Sequence, residues 1–180
     1  MTLANRLTLI RAALVLPYAF FVLQGQLIVA AALFAIAAAT DLLDGYVARQ
    51  RKEETAMGRV LDPIADKMLT IAALIVLVAN GTLTGLLLAP VLIIALRELW
   101  ISGLREGMID TGAELPVSPM AKVKTALQLL ALFLLTFGPS TAGHVLFWLS
   151  ALVTLITGLH YTIVSMKILN LGAEGPANST

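Results

Sequence analysis

The sequence predicts an all-α integral membrane protein, a bundle of six transmembrane helices around a polar cavity that opens to the cytoplasm. Hydrophobic residues make up 59% of its 180 residues and charged residues 13%, whereas soluble domains carry roughly 45–50% and about 25%. The charges are also unevenly placed, because residues 12–40, 68–96 and 125–166 contain no Asp, Glu, Lys or Arg. Since an ionised group is costly in hydrocarbon, these three gaps mark the membrane.

Each uncharged gap is interrupted near its middle by residues that are typical of turns, so each gap is expected to form a helical hairpin. The turns are Gln24-Gly25-Gln26, Asn80-Gly81-Thr82, and a segment from Gly138-Pro139-Ser140 to Gly143-His144. The predicted helices cover about residues 7–24, 27–48, 60–79, 84–106, 121–138 and 144–168. We expect residues 1–170 to form a single transmembrane domain and residues 171–180 to form a polar C-terminal tail.

The distribution of charge also predicts the orientation of the chain. None of the three turns carries a charge, so all charged residues fall on one side of the membrane. Basic residues cluster near the helix ends on that side, which the positive-inside rule identifies as cytoplasmic. The start of the chain lacks a basic segment followed by a small-residue cleavage site, so we expect no removable signal peptide. The expected location is the inner (cytoplasmic) membrane, with several spans and both termini in the cytoplasm.

The lengths of the gaps place some charged side chains inside the membrane. A helix needs roughly 20 residues to cross a hydrocarbon core of about 30 Å, and half of the first or second gap supplies only about 12–14 once the turn is removed. The remaining helical turns must come from the flanking charged segments, whose side chains cannot face lipid there. We expect the following residues to line the polar cavity: Asp41, Asp44, Asp62, Asp66, Lys67 and Arg97.

Four of these residues are candidate metal ligands. Asp41 and Asp44 are three residues apart on the second helix, and helical residues at this spacing share a face. Asp62 and Asp66 are four residues apart on the third helix, which the short connection makes an antiparallel neighbour of the second. Four carboxylates in a partly dry cavity need cations, and oxygen ligands without Cys or paired His favour Mg²⁺ or Mn²⁺. Two such ions about 3.5–4 Å apart would suit the in-line displacement of a phosphoryl group.

Residues between the two acidic pairs support a binding site. Gly45 and Gly58 leave room for a ligand to approach the backbone, and Arg49 lies about one turn beyond Gly45, where it could bind a phosphate. The structural alternative is that the acidic pairs mark helix ends and that Arg49 extends to the membrane surface.

A functional alternative is a transport protein whose four aspartates form a pathway for divalent cations. Such a pathway needs polar residues through to the other face, and the outer halves of the helices offer almost none.

The acidic residues form part of a longer pattern, Asp41-x2-Asp44-Gly45-x2-Ala48-Arg49-x8-Gly58-x3-Asp62-x3-Asp66. This pattern resembles, without departure, the signature of the CDP-alcohol phosphotransferase family. The resemblance implies a six-helix membrane enzyme, usually a homodimer, that transfers a phosphatidyl group from a CDP-linked lipid to an alcohol and releases CMP.

The same resemblance implies roles for individual residues. It makes the four aspartates ligands of two Mg²⁺ or Mn²⁺ ions and makes Asp66 also the general base. It implies that the residues facing the CDP moiety are Asp44, Gly45, Ala48, Arg49 and Gly58.

Basic residues on the fourth and fifth helices are candidates for an acceptor phosphate: Arg97, Arg105, Lys122 and Lys124. Their surrounding segments, with the opening segment up to Arg11, are similar to those of the phosphatidylglycerophosphate-forming branch of the family. This similarity implies CDP-diacylglycerol as donor and glycerol 3-phosphate as acceptor. Family members that make cardiolipin or phosphatidylserine, or that use inositol phosphate, remain alternatives.

Arg97 needs a partner at its depth, and we do not expect the adjacent Glu98 to be that partner, because consecutive helical residues point to different faces.

Overall fold

The computed structural model describes residues 3–51, 56–109 and 119–173, and within them the side chains of residues 9–40, 64, 67–108 and 119–168. These ranges contain helices and turns and no strand, which confirms the predicted all-α class with six helices. The elements are α1 (Leu3–Leu23), α2 (Leu27–Arg51), α3 (Ala56–Ala79), a 3-10 helix (Gly85–Leu87), α4 (Leu88–Ile109), α5 (Pro119–Thr136) and α6 (Thr141–Ala173).

The three predicted turns are confirmed, and each contains a glycine in a left-handed conformation. The φ angles of Gly25, Gly81 and Gly138 are 72°, 81° and 112°, values that glycine adopts without a steric cost. In the last turn the side chain of Ser140 accepts a hydrogen bond from the backbone N–H of Gly143 at 3.1 Å, which caps α6. This cap begins α6 at Thr141, earlier than the predicted 144.

Several other predicted helix boundaries are corrected. The first and third helices begin before the predicted residues 7 and 60, and the second and sixth continue beyond the predicted 48 and 168. These extensions contain Arg and Gln, which favour helix although they interrupt the apolar pattern used for the prediction. Residues 174–180 lie outside the described part of the chain, so the predicted division into a domain and a tail stays a prediction.

The apolar segments of the helices differ in length between the two halves of the chain. Within the described residues, three segments are long and apolar enough to cross a membrane: Gly85–Met108, Pro119–Thr136 and Thr141–Ile168. The first three helices carry shorter apolar segments: Leu9–Leu23, Leu27–Thr40 and Lys67–Ala79. These lengths fit a membrane protein whose first three helices take their remaining turns from charged segments, including those that carry the four aspartates.

The helices pack in two groups of three. Helix α1 packs against α2 and α3, and α6 packs against α4 and α5. The two groups meet where α2 contacts α5 and where α3 contacts α4 and α5. The core contains Tyr18 on α1 together with Ala30 and Ala37 on α2. Small residues such as these two alanines allow membrane helices to approach each other closely. The two groups therefore meet through α2, α3, α4 and α5, the helices that carry the predicted site residues.

Candidate functional site

All eight positions of the acidic signature lie within two helices that contact each other. Asp41 and Asp44 belong to α2, and Asp62 and Asp66 belong to α3. Their helical backbone therefore supports the predicted sharing of a face within each pair. The side chains of the signature lie outside the described residues: Asp41, Asp44, Gly45, Ala48, Arg49, Gly58, Asp62 and Asp66. Their meeting and their binding of metal and CDP stay predictions.

A buried ion-pair cluster joins α4 to α5. The ammonium of Lys124 donates a hydrogen bond to Oε1 of Glu98, and Nη1 of Arg97 lies 3.4 Å from the same oxygen. The side chains of Arg97 and Glu98 are each 12% exposed, and that of Lys124 is 5% exposed. A carboxylate at this depth needs a cation, and here it has two.

The expectation that Glu98 would not be the partner of Arg97 was wrong. The backbone directions of consecutive helical residues do differ, but the long arginine side chain bends far enough for its guanidinium to reach the neighbouring carboxylate. The signal that could have identified Glu98 is its place inside a long apolar span, where an acidic residue requires a cationic partner.

Tyr161 of α6 brings the two arginines of α4 together. The guanidinium carbons of Arg97 and Arg105 each lie 5.9 Å from the centre of the Tyr161 ring, and Tyr161 itself is buried. This distance allows a cation–π interaction with each arginine. Sequence reasoning did not find Tyr161, because no local spacing connects it with residues so much earlier in the chain.

Gly158, one turn before Tyr161, makes room for Arg97. A Cβ atom at Gly158 would lie 2.9 Å from Cγ of Arg97, which is too close for real carbon atoms. The arginine stem therefore lies against the α6 backbone, beside a largely apolar groove of about 930 Å³ between α4 and α6. The guanidinium Nε of Arg97 is buried and has no hydrogen-bond partner among the residues that the structure describes.

The two lysines of α5 are placed differently. Lys124 is buried in the ion-pair cluster, whereas Lys122 is exposed. At 3.6 residues per turn, two residues correspond to about 200° of rotation, so the lysines point to opposite sides of the helix. Of the four candidates for the acceptor phosphate, Arg97 and Lys124 meet at Glu98, and Arg105 joins Arg97 at Tyr161, although Arg105 is exposed. Lys122 lies on the exposed side of α5.

Gln128 connects the cluster with the helix that carries Asp66. It lies one helical turn beyond Lys124 on α5, is 2% exposed, and donates a hydrogen bond from Nε2 to the hydroxyl of Thr70 at 3.2 Å. Thr70 lies one turn beyond Asp66 on α3. The helix that carries Lys124 and the helix that carries Asp66 are therefore joined by a direct hydrogen bond.

The charges of the cluster favour an anionic ligand. Arg97 and Lys124 carry two positive charges, the exposed Arg105 adds a third, and Glu98 carries one negative charge, so these four described residues have two positive charges in excess. The unpaired Nε–H of Arg97 adds a buried donor. A phosphate monoester supplies both the negative charge and the acceptor oxygens that such donors prefer.

Known proteins resemble this chain over most of its length. A family model described as CDP-alcohol phosphatidyltransferase matches residues 1–156. The CDP-diacylglycerol–glycerol-3-phosphate 3-phosphatidyltransferase of Rickettsia bellii (strain RML369-C) is 39% identical over 139 residues, which cover 73% of this chain and 75% of the relative. The Escherichia coli (strain K12) protein of that name is 39% identical over 138 residues, with the same two shares. With this extent of similarity, and with the acidic signature on two helices of a six-helix membrane bundle, the chain belongs to the CDP-alcohol phosphatidyltransferase family.

Proposed function

We propose that this chain transfers the phosphatidyl group of CDP-diacylglycerol to glycerol 3-phosphate and releases CMP, a step of phospholipid biosynthesis. The observation that carries the choice of a phosphate-bearing acceptor is the buried cluster of Arg97, Glu98 and Lys124 with its excess of positive charge. An acceptor without an anionic group would leave these charges uncompensated in the membrane. The relatives named above carry glycerol 3-phosphate in their names, which agrees with a phosphate-bearing acceptor.

The phosphate of the acceptor binds, in this proposal, to Arg97, Arg105 and Lys124, with Lys122 adding positive charge from the exposed side of α5. Glu98 holds the ends of Arg97 and Lys124 in place, so that donors converge before the phosphate arrives. Preorganised charged donors cost little reorganisation when the ligand binds. Tyr161 supports the two arginines from α6.

The donor and the reacting atoms bind to the signature residues of α2 and α3. Four carboxylates with no thiol ligand suit Mg²⁺ or Mn²⁺, so Asp41, Asp44, Asp62 and Asp66 would hold two such ions. When bound, these ions neutralise the diphosphate of CDP-diacylglycerol and stabilise the departing CMP. The diphosphate and cytidine also contact Asp44 and the other CDP-facing residues Gly45, Ala48, Arg49 and Gly58.

Asp66 moves the proton in the proposed reaction. It accepts the proton of the attacking hydroxyl of glycerol 3-phosphate while that oxygen forms a bond to the phosphorus of the phosphatidyl group. The bond from this phosphorus to the oxygen of CMP breaks, and CMP leaves with the electron pair. The lipid product keeps its acyl chains in the bilayer throughout, which explains why the reaction takes place in a membrane protein.

The positions of the charged residues support a proposal for the location of the reaction. We propose that the protein lies in the inner (cytoplasmic) membrane with both termini and the active site on the cytoplasmic side. Both the water-soluble acceptor and the released CMP then exchange directly with the cytoplasm.

The proposed functional unit is a homodimer, and the mass of the detergent-solubilised protein would test this oligomeric state.

The proposed function is tested by CMP release from the purified full chain. The chain is supplied with CDP-diacylglycerol, Mg²⁺ or Mn²⁺, and either glycerol 3-phosphate, serine, inositol phosphate or phosphatidylglycerol. We expect CMP release with glycerol 3-phosphate, its loss with EDTA, and its recovery when either ion is restored. Preference for another acceptor would contradict the choice of glycerol 3-phosphate, and no CMP with any acceptor and either ion would contradict the transferase activity.

A further inference from the structure

The side-chain amide of Gln128 is only half used by the protein. It is 2% exposed, and its Nε2 donates to Thr70. Its Oε1 is buried and has no hydrogen-bond partner within the part of the chain that the structure describes. Buried polar atoms normally have partners, because an unpaired one loses its bond to water and gains nothing in return. The open end of this amide therefore points to a ligand.

The position of Gln128 indicates which part of a ligand it contacts. Along α5 it is one turn from Lys124, which the proposed function assigns to the acceptor phosphate. Through Thr70 it is bonded to α3, one turn from Asp66, which the proposed function assigns to the attacking hydroxyl. Glycerol 3-phosphate carries, between its phosphate and its attacking primary hydroxyl, one further hydroxyl on the middle carbon.

We propose that Gln128 binds this middle hydroxyl and thereby determines the specificity for the acceptor. The inference rests on the proposed function, because it takes the phosphate and the attacking hydroxyl as its two reference points. A hydroxyl both donates and accepts, so it satisfies whichever end of the amide faces it, while Thr70 holds the other end. An acceptor without the middle hydroxyl leaves the buried amide unpaired, and this penalty is the source of the discrimination.

The experiment compares glycerol 3-phosphate with 3-hydroxypropyl phosphate, which keeps the phosphate and the primary hydroxyl and lacks the middle hydroxyl. Wild-type protein is expected to favour glycerol 3-phosphate by about tenfold or more in kcat/KM. In Gln128→Met, which keeps the length of the side chain without its amide, this ratio falls close to one. In this variant kcat/KM falls for glycerol 3-phosphate and does not fall for 3-hydroxypropyl phosphate. Gln24→Met, in an exposed turn at the other end of the bundle, serves as the matched control and keeps the wild-type ratio.

The outcomes separate a specificity role from a structural one. A residue that only joins α5 to α3 would, when replaced, reduce the rates with both acceptors equally, and that result would overturn the proposal. A wild-type ratio near one would overturn it as well. Should Gln128→Met fail to fold, Gln128→Asn, which retracts the amide, makes the same comparison. Absence of CMP release by the wild-type protein with every acceptor would instead overturn the proposed function.

Discussion

Lys124 of α5 and Glu98 of α4 form a buried ion pair whose carboxylate oxygen also faces Arg97. The pair joins two helices that the chain connects only through the segment between Ile109 and Pro119. The single carboxylate of Glu98 holds the two cations, Lys124 and Arg97, in place. A net positive charge therefore remains available to a ligand. Stability and acceptor binding are therefore expected to depend on the same carboxylate.

Replacing Glu98 by Gln is expected to destabilise the protein. The substitution keeps the shape of the side chain but leaves Lys124 and Arg97 without a buried anion, and breaking a buried pair in this way costs about 3 kcal/mol. The free energy of unfolding in detergent measures the loss. Glu106→Gln changes an exposed carboxylate on the same helix and should have little effect. Equal stability of the two variants would show that the cluster has no structural role.

Replacing Lys124 by Met is expected to impair use of the acceptor. A charge-assisted hydrogen bond contributes about 1.5–3 kcal/mol, so KM for glycerol 3-phosphate should rise by about tenfold or more, at roughly tenfold per 1.4 kcal/mol. KM for CDP-diacylglycerol should change little, because the donor binds at the signature residues. The measurement is CMP release at varied acceptor concentration, with the exposed Lys167→Met as the control. A rise confined to KM for CDP-diacylglycerol would contradict the assignment of Lys124.

The fold was predictable because its determinants are local in the sequence. Gaps in charge locate the hydrocarbon, and Gly25, Gly81 and Gly138 interrupt those gaps where the chain must turn back. Hydrophobicity alone could not give the helix ends, since the polar residues at the ends away from the three turns continue the same helices. The helical positions of the acidic signature were also predictable from local sequence, because residues three or four apart on a helix lie on the same face.

The residues that hold Arg97 and Lys124 in place were not predictable from the sequence. Arg97 and Lys124 could be named as candidates for the acceptor phosphate, but their common partner, Glu98, depends on how a long side chain bends. Gly158 and Tyr161 contact Arg97 only because α6 packs beside α4. These relationships arise from tertiary packing between segments distant along the chain, which no local periodicity encodes.

Replacing Asp66 by Asn is expected to abolish turnover while the fold survives. General acid–base catalysis contributes about 10²–10⁴-fold to a rate, and the amide keeps the size of the side chain without its capacity to accept the proton. We expect CMP release to fall at least a hundredfold, while the midpoint of thermal unfolding stays near that of the wild-type protein. CMP release at the wild-type rate would remove Asp66 from the role of general base.

Replacing Tyr18 by Phe is expected to affect stability and not activity. The Tyr18 and Thr136 hydroxyls are 3.2 Å apart and buried between α1 and α5, and a hydrogen bond of this kind contributes about 1 kcal/mol. The free energies of unfolding of Tyr18→Phe, Thr136→Val and the double variant form a cycle that isolates the bond. Strict additivity of the two single effects would show that the hydroxyls do not interact energetically.

Replacing Gly158 by Ala is expected to weaken acceptor binding through Arg97. The new methyl group would lie 2.9 Å from Cγ of Arg97, so the arginine stem must shift and its guanidinium leaves its place beside Glu98 and Tyr161. We expect KM for glycerol 3-phosphate to rise several-fold while KM for CDP-diacylglycerol stays the same. Gly107→Ala is the matched control, because a Cβ atom at this helical glycine of α4 meets nothing within 4 Å.

The effect of Gly158→Ala must disappear when the atom it displaces is absent. Arg97→Ala removes Cγ together with the guanidinium, so adding Gly158→Ala to that variant should not raise KM for glycerol 3-phosphate any further. Non-additivity of this kind is expected of two residues in contact, whereas independent sites add. A further rise in the double variant would mean that Gly158 acts on the α4–α6 packing as a whole and not through the position of Arg97.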